Sequence, residues 1–214
     1  ASQGSVERTH GGVTISPDDR FTEIVPFVKR IDAQAAAKDE IAKVAASLID
    51  EGQSLIIYGG TTTLALAKYL AAKRGLTVVT NNLALPQELY SRGVREIYVL
   101  GGSFRQRSQV TIGPVALSDG AGKPRSIHTH WAIIGVGGVS EEGTVWTSSL
   151  PEAGMMREMM DCAAHTLLLA DSTKFGKREF AEVADLTANT TLITEKRPHQ
   201  VLLDRAAEVG ARVI

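Results

Sequence analysis

The side chains with most chemical potential in this sequence sit in short clusters where apolar runs end. The strongest is Tyr58-Gly59-Gly60-Thr61-Thr62-Thr63. Its glycines let the backbone turn tightly, a helix start leaves N–H groups unpaired, and threonine hydroxyls add donors. Together these suit an anion such as phosphate. The spacing is neither G-x-x-x-x-G-K-[ST] nor G-x-G-x-x-G, so the nucleotide-binding loops with those signatures are not indicated. The same residues also read as a plain strand-to-helix turn capped by Thr61.

Further polar clusters recur along the chain: Thr80-Asn81-Asn82, Gly101-Gly102 followed by Arg105 and Arg107, Gly135-Val136-Gly137-Gly138, and Asp171-Ser172-Thr173-Lys174. Each admits a local explanation as turn chemistry, and Asp171 as the cap of the segment that follows it. Asp171 and Lys174 could instead form an acid/base pair for proton transfer, the main argument for an enzyme. His128 and His130 point to one side of an extended segment, but no third ligand accompanies them and no metal centre is expected. Met155, Met156, Met159 and Met160 lie at helical spacing, as core or oligomer contacts do, and Cys162 in the same segment reads as packing.

The elements that must position these clusters follow one grammar. Ile41, Val44, Ala45 and Leu48 have helical spacing closed by Gly52. Ser54 to Tyr58 reads as a strand and Thr62 to Lys73 as a helix; the pattern recurs at Leu76 to Thr80 with a helix through Leu89, and at Glu96 to Leu100. Further strands are predicted at Trp131 to Ile134, Thr166 to Ala170, Thr191 to Ile193 and Arg212 to Ile214, with helices at Pro151 to Ala164 and Pro198 to Glu208. Alternating strands and helices predict an α/β fold, an open doubly wound and mostly parallel sheet. In such a sheet the carboxyl ends of the strands converge on one crevice, so distant clusters can meet around one ligand. Ser118 to Pro124 is a loop, and the stretch from Ser103 to Ser126 has room for a small inserted subdomain.

Composition narrows the function. With 214 residues, 43% of them hydrophobic, the chain can bury one large core. A single cysteine forms no internal disulfide, and the apolar runs fall far short of a membrane span, so a cytoplasmic location without membrane contact is expected. The 23 basic residues against 24 acidic ones leave a net charge of -1, not the excess that nucleic-acid binding calls for.

Taken in order, the motifs resemble the C-terminal effector domain of DeoR-family transcriptional repressors. The likeness runs through Tyr58-Gly59-Gly60-Thr61-Thr62, Val79-Thr80-Asn81-Asn82, Leu100-Gly101-Gly102-Ser103-Phe104-Arg105 and Ile112-Gly113-Pro114. It continues through Ile134-Gly135-Val136-Gly137-Gly138-Val139, Pro151-Glu152-Ala153 to Met160, and Leu169-Ala170-Asp171-Ser172-Thr173-Lys174-Phe175-Gly176. Val6 to Val13 resembles the end of the winged helix-turn-helix that precedes this domain in the family. The resemblance therefore implies a remnant of that module and its linker over residues 1–17, and a sensor domain over 18–214. It also implies a fold shared with ribose-5-phosphate isomerase and coenzyme A transferases, a phosphorylated sugar or polyol as effector, and no cofactor. DNA would be contacted only through the absent N-terminal module, and the protein would be a homo-oligomer, with the methionine-rich helix offering apolar surface. The ligand-binding set then comprises the Tyr58 to Thr63 loop, Thr80, Asn81, Asn82, Gly102, Arg105, Gly135, Gly137, Asp171 and Lys174. One departure stands out: the family pattern has Asp where this chain has Tyr58, which is bulkier, neutral at pH 7, and able to donate as well as accept. A different or smaller effector follows. The competing reading is a sugar-phosphate isomerase that uses Asp171 and Lys174.

Overall fold

The computed structural model describes residues 7–9, 12–14, 27–106, 108–118 and 121–214. Arg107, most of the lead before Phe27, and residues 119–120 of the Ser118 to Pro124 loop lie outside them.

The described residues begin with an antiparallel pair, β1 (Glu7–Thr9) and β2 (Gly12–Thr14), followed by α1 (Phe27–Asp32) and α2 (Ala35–Ser47). Strand and helix then alternate through β3 (Ser54–Ile57), α3 (Thr61–Leu70), β4 (Thr77–Thr80), α4 (Leu85–Ser91) and β5 (Glu96–Val99). Where an inserted subdomain had room, two short hairpins form instead: β6 (Ser103–Arg105) with β7 (Val110–Ile112), and β8 (Leu117–Ser118) with β9 (Pro124–Arg125). The second half runs β10 (Thr129–Gly135), β11 (Gly138–Val139), β12 (Thr144–Thr147), α5 (Leu150–Asp161) and β13 (Ala163–Leu169). A 3-10 turn (Ser172–Lys174), β14 (Ala181–Asp185), β15 (Thr190–Ile193), α6 (Gln200–Glu208) and β16 (Arg212–Val213) complete it.

Seven strands form one sheet in the order β16-β15-β13-β10-β3-β4-β5, and every neighbouring pair is parallel. The first of these seven strands in the sequence, β3, lies inside the sheet, third from the β5 edge. The chain winds outward through β4 and β5 on one side, returns, and winds outward through β10, β13, β15 and β16 on the other. The order reverses between β3 and β10, which makes their carboxyl ends the topological switch point, where open α/β sheets form a ligand crevice.

Residues of alternate parity divide the apolar contacts between two faces, as the two-residue strand period requires. Leu55, Ile57, Val78, Ile133 and Leu167 pack against α2, α3 and α4 through Ile41, Ala45, Leu66, Leu70, Leu85 and Leu89. Ile56, Val79, Ala132, Ile134 and Leu168 pack on the opposite face with α5, α6 and the small antiparallel sheet β11-β12-β14. The methionines of α5 belong to this second core: Met155, Met156 and Met159 are buried and Met160 packs against them. The expectation that this helix offers apolar surface to a partner is therefore corrected, because the chain's own sheet occupies that face.

Candidate functional site

The loop after β3 is shaped by bonds that its own residues supply. The Tyr58 N–H donates to Ile133 O on β10 at 3.0 Å, which ties the two strands together across the switch point. The Gly59 N–H donates to Asn81 Oδ1 at 2.8 Å, and a Cβ at Gly59 would overlap the Val110 side chain, so only glycine lets β7 approach this closely. The Thr63 hydroxyl donates to Tyr58 O at 2.8 Å and Gly60 O at 3.0 Å, which closes the turn. Helix α3 then starts with extended backbone at Gly60, leaving the N–H groups of Thr61, Thr62 and Thr63 without an intrahelical partner. No side-chain hydrogen bond of Thr61 or Thr62 occurs among the described residues.

The second cluster is mainly scaffold. Thr80, Asn81 and Asn82 are wholly buried. The Thr80 hydroxyl donates to Ile57 O at 2.7 Å; the Asn81 amide donates to Thr111 O at 3.0 Å and to Met155 Sδ at 3.4 Å. Asn82 Oδ1 accepts from the Ala84 N–H at 2.9 Å, while its Nδ2 is buried without a partner among the described residues. Gly102 serves the chain path: its φ is +131°, and a Cβ there would run into the Ile112 carbonyl.

The glycines at the end of β10 admit other groups. A Cβ at Gly135 would touch the Thr63 methyl, so this strand end and the α3 loop are neighbours. A Cβ at Gly137 would overlap the Glu179 carboxylate. Asp171 is buried and caps the 3-10 turn, accepting from the Thr173 N–H at 3.1 Å and from its hydroxyl. Lys174 is half-buried; its backbone N–H donates to Asp171 O at 2.9 Å, and its side chain makes no hydrogen bond or ion pair among the described residues.

Electrostatic neighbours link these pieces to one another. Tyr58 faces Glu152, Arg105 and Arg30; Glu179 faces Lys174, Glu152, Lys177 and Arg30; Lys38 faces Asp171, Lys174 and Arg30. Burial, reinforced by the Glu152 carboxylate, pushes the Tyr58 phenol far above its ordinary range, so it is neutral at any physiological pH. Its hydroxyl is buried without a hydrogen-bond partner among the described residues, and the Glu152 carboxylate lies close by. Burial also raises Glu179, against the opposing pull of Lys174, and lowers Lys38 and Arg30. Lys38 Nζ donates to the carbonyls of Arg30 and Ala33 and so pins the end of α1 to α2.

Four residues of this crevice were not singled out from the sequence. Lys38 carried a signal: with Ile41, Ala42 and Ala45 it occupies the apolar stripe of α2, where a lysine needs a reason to be. Arg30 lay in a stretch without periodicity. Glu152 lay within a motif but drew no notice as a ligand, and nothing local marks Glu179. A groove of about 450 Å³ on the outer side of α3 meets the crevice only at Lys38 and Thr61, while another of about 430 Å³, lined by Gln53, His130 and His165, lies at the amino ends of the strands. His130 there accepts the Ser54 N–H on Nδ1 at 3.0 Å.

Fold and site together define an open, doubly wound α/β domain with a cluster of polar side chains at the carboxyl ends of its strands. The chain belongs to the DeoR family: the DeoR C terminal sensor domain matches residues 33–196. It is 32% identical to the HTH-type transcriptional repressor GlcR of Bacillus subtilis, over 99% of this chain and 79% of that protein. It is 27% identical to the glycerol-3-phosphate regulon repressor of Escherichia coli, over 95% of this chain and 80% of that one. Among solved structures, eIF2B delta from Chaetomium thermophilum shares the fold at a TM-score of 0.54 and 15% identity, over 80% of this chain and 60% of its own. Ribose 5 phosphate isomerase A from Neisseria gonorrhoeae aligns at a TM-score of 0.45 and 12% identity, over 64% of this chain and about half (52%) of the isomerase.

Proposed function

We propose that this chain is the effector-sensing part of a transcriptional regulator of carbohydrate metabolism, and that a phosphorylated sugar or polyol binds in the crevice. The reading rests on one arrangement: the unpaired N–H groups at the start of α3 adjoin the switch point, while Arg30 and Arg105 neighbour Tyr58 in the preceding loop and Lys174 follows the end of β13. A dianion leaving water needs several charge-assisted hydrogen bonds, and a helix N-terminus with one or two cations provides them. Binding shifts the population between two conformations and so changes DNA binding through a helix-turn-helix module preceding the pair β1–β2. The regulator works as a homo-oligomer; with the α5 methionines engaged internally, the apolar side chains open to a partner include Tyr98 and Val99 on the edge strand β5.

Regulation is favoured over isomerisation because the Asp171 carboxylate is engaged by Thr173 and because the named relatives are transcriptional regulators. The test is a thermal-shift panel of sugar and polyol phosphates, since a ligand that binds only the folded state must raise its stability. A phosphate that raises the melting temperature without being turned over supports sensing. Isomerisation of ribose 5-phosphate that disappears in Lys174→Ala assigns the crevice to an enzyme instead.

A further inference from the structure

The crevice has two sides, and the proposed phosphate site accounts for only one. Helix α3 packs on the face of the sheet that holds α2 and α4, whereas the Tyr58 side chain clusters with Ile56, Val79 and the α5 methionines on the opposite face. On that side Tyr58 meets Glu152 from the first turn of α5, Arg30 from α1 and Arg105 from β6, and Arg30 in turn faces Glu179 beyond the 3-10 turn. Two polar atoms of this group, Tyr58 Oη and Arg30 Nε, are buried with no hydrogen-bond partner among the described residues, and Tyr58 as a whole is only 4% exposed. Buried polar atoms are rarely left unpaired, and where they cluster beside a binding crevice a ligand is the natural partner.

We propose that Tyr58, Glu152, Glu179 and Arg30 form a second subsite, which reads the hydroxylated carbon chain of the effector while its phosphate rests at α3. The proposal rests on the phosphate reading given above. Its chemistry follows from the inventory of donors and acceptors: two carboxylates only accept, a guanidinium only donates, and a neutral phenol does both. Adjacent hydroxyls, each donor and acceptor, satisfy such a mixture, with protons directed to Glu152 and Glu179 and lone pairs to Arg30 and Tyr58. An alkyl chain satisfies none of it, and a second phosphate would meet two carboxylates. Gly137 belongs to the device, since any side chain there would displace the Glu179 carboxylate. The ligand class is accordingly a polyol or sugar monophosphate whose hydroxyls reach across the edge of the sheet.

The experiment is titration calorimetry on the full chain with inorganic phosphate and with two matched pairs: propyl phosphate against glycerol 3-phosphate, and hexyl phosphate against sorbitol 6-phosphate. In at least one pair the hydroxylated member should bind about tenfold or more tightly than its alkyl counterpart. That ratio should collapse in Tyr58→Phe, which retains the ring, and independently in Glu152→Gln. If alkyl and hydroxylated phosphates bind alike, the subsite is wrong and the phosphate reading stands. If the ratio persists undiminished in both variants, other residues read the hydroxyls and the assignment fails. If no phosphate in the panel binds, both readings fall together.

Discussion

Replacing Tyr58 with phenylalanine should make the unliganded protein more stable. The ring is 4% exposed and belongs to the core cluster with Ile56, Val79 and Leu100, packing that phenylalanine keeps, while the deleted hydroxyl is buried without a hydrogen-bond partner among the described residues. An unsatisfied buried polar group costs about 1–3 kcal/mol, so removing it should return about 1–2 kcal/mol. For a chain of this size that corresponds to a rise in melting temperature of roughly 3–6 °C. Urea unfolding should move its midpoint upward with an unchanged slope, since the surface exposed on unfolding is nearly the same. The same substitution removes a group proposed to bind the effector, so stability and affinity should move in opposite directions, as they do where function maintains a strained or unsatisfied site. A loss of 1 kcal/mol or more in Tyr58→Phe would refute the reasoning: the hydroxyl would then be bonded in the unliganded protein, with Glu152 the acceptor within reach.

Asn81→Ala should destabilise the chain by about 2–3 kcal/mol, because it strands the Thr111 carbonyl and the Gly59 N–H and opens a cavity beside Met155; unchanged chemical denaturation would mean that water replaces those bonds. Gly102→Ala should cost about 3 kcal/mol, since φ of +131° disfavours a side chain and the added Cβ meets the Ile112 carbonyl; a midpoint within error of wild type would contradict this. Glu179 makes a pH prediction. Burial raises its folded pKa above the unfolded value, so the folded state holds this proton more tightly and the group's contribution to stability falls as pH rises through the carboxylate range and up to that raised pKa. Glu179→Gln should remove that part of the dependence, so that wild-type stability relative to the variant declines from pH 4 to pH 7; a relative stability that increases with pH would show that the opposing pull of Lys174 dominates.

The sheet was legible in the sequence because its strands are short, almost wholly apolar runs stopped by glycine or asparagine. Leu55 to Ile57, ended by Gly59-Gly60, and Val78-Val79, ended by Asn81-Asn82, could hardly be anything but buried parallel strands. Elements without that contrast were missed. Helix α1 has six residues and an arginine that turns inward, and β11, β12 and β14 are two to five residues long, with Glu182 and Asp185 interrupting the last. The site divided along the same line. Clusters at strand ends announce themselves, but whether a polar side chain there faces a ligand or holds the scaffold is decided by partners distant in sequence. Asn81 is bonded to Thr111 and Met155, and Glu179 lies against Gly137; neither pairing leaves a local trace. The methionines show the converse: helical spacing fixes a shared face, not what covers it, and here the covering is the chain's own sheet.

The central claim is that a phosphate binds at the start of α3 with help from Lys174. Titration calorimetry of sugar phosphates, each beside its unphosphorylated parent, tests it directly in wild type, Thr62→Val and Lys174→Met. Charge-assisted hydrogen bonds contribute about 1.5–3 kcal/mol each, so the phosphate should bind at least a hundredfold more tightly than its parent, and each variant should lose roughly ten- to a hundredfold of that affinity. Equal binding of phosphate and parent, or full affinity in both variants, would contradict the account and place the anion elsewhere.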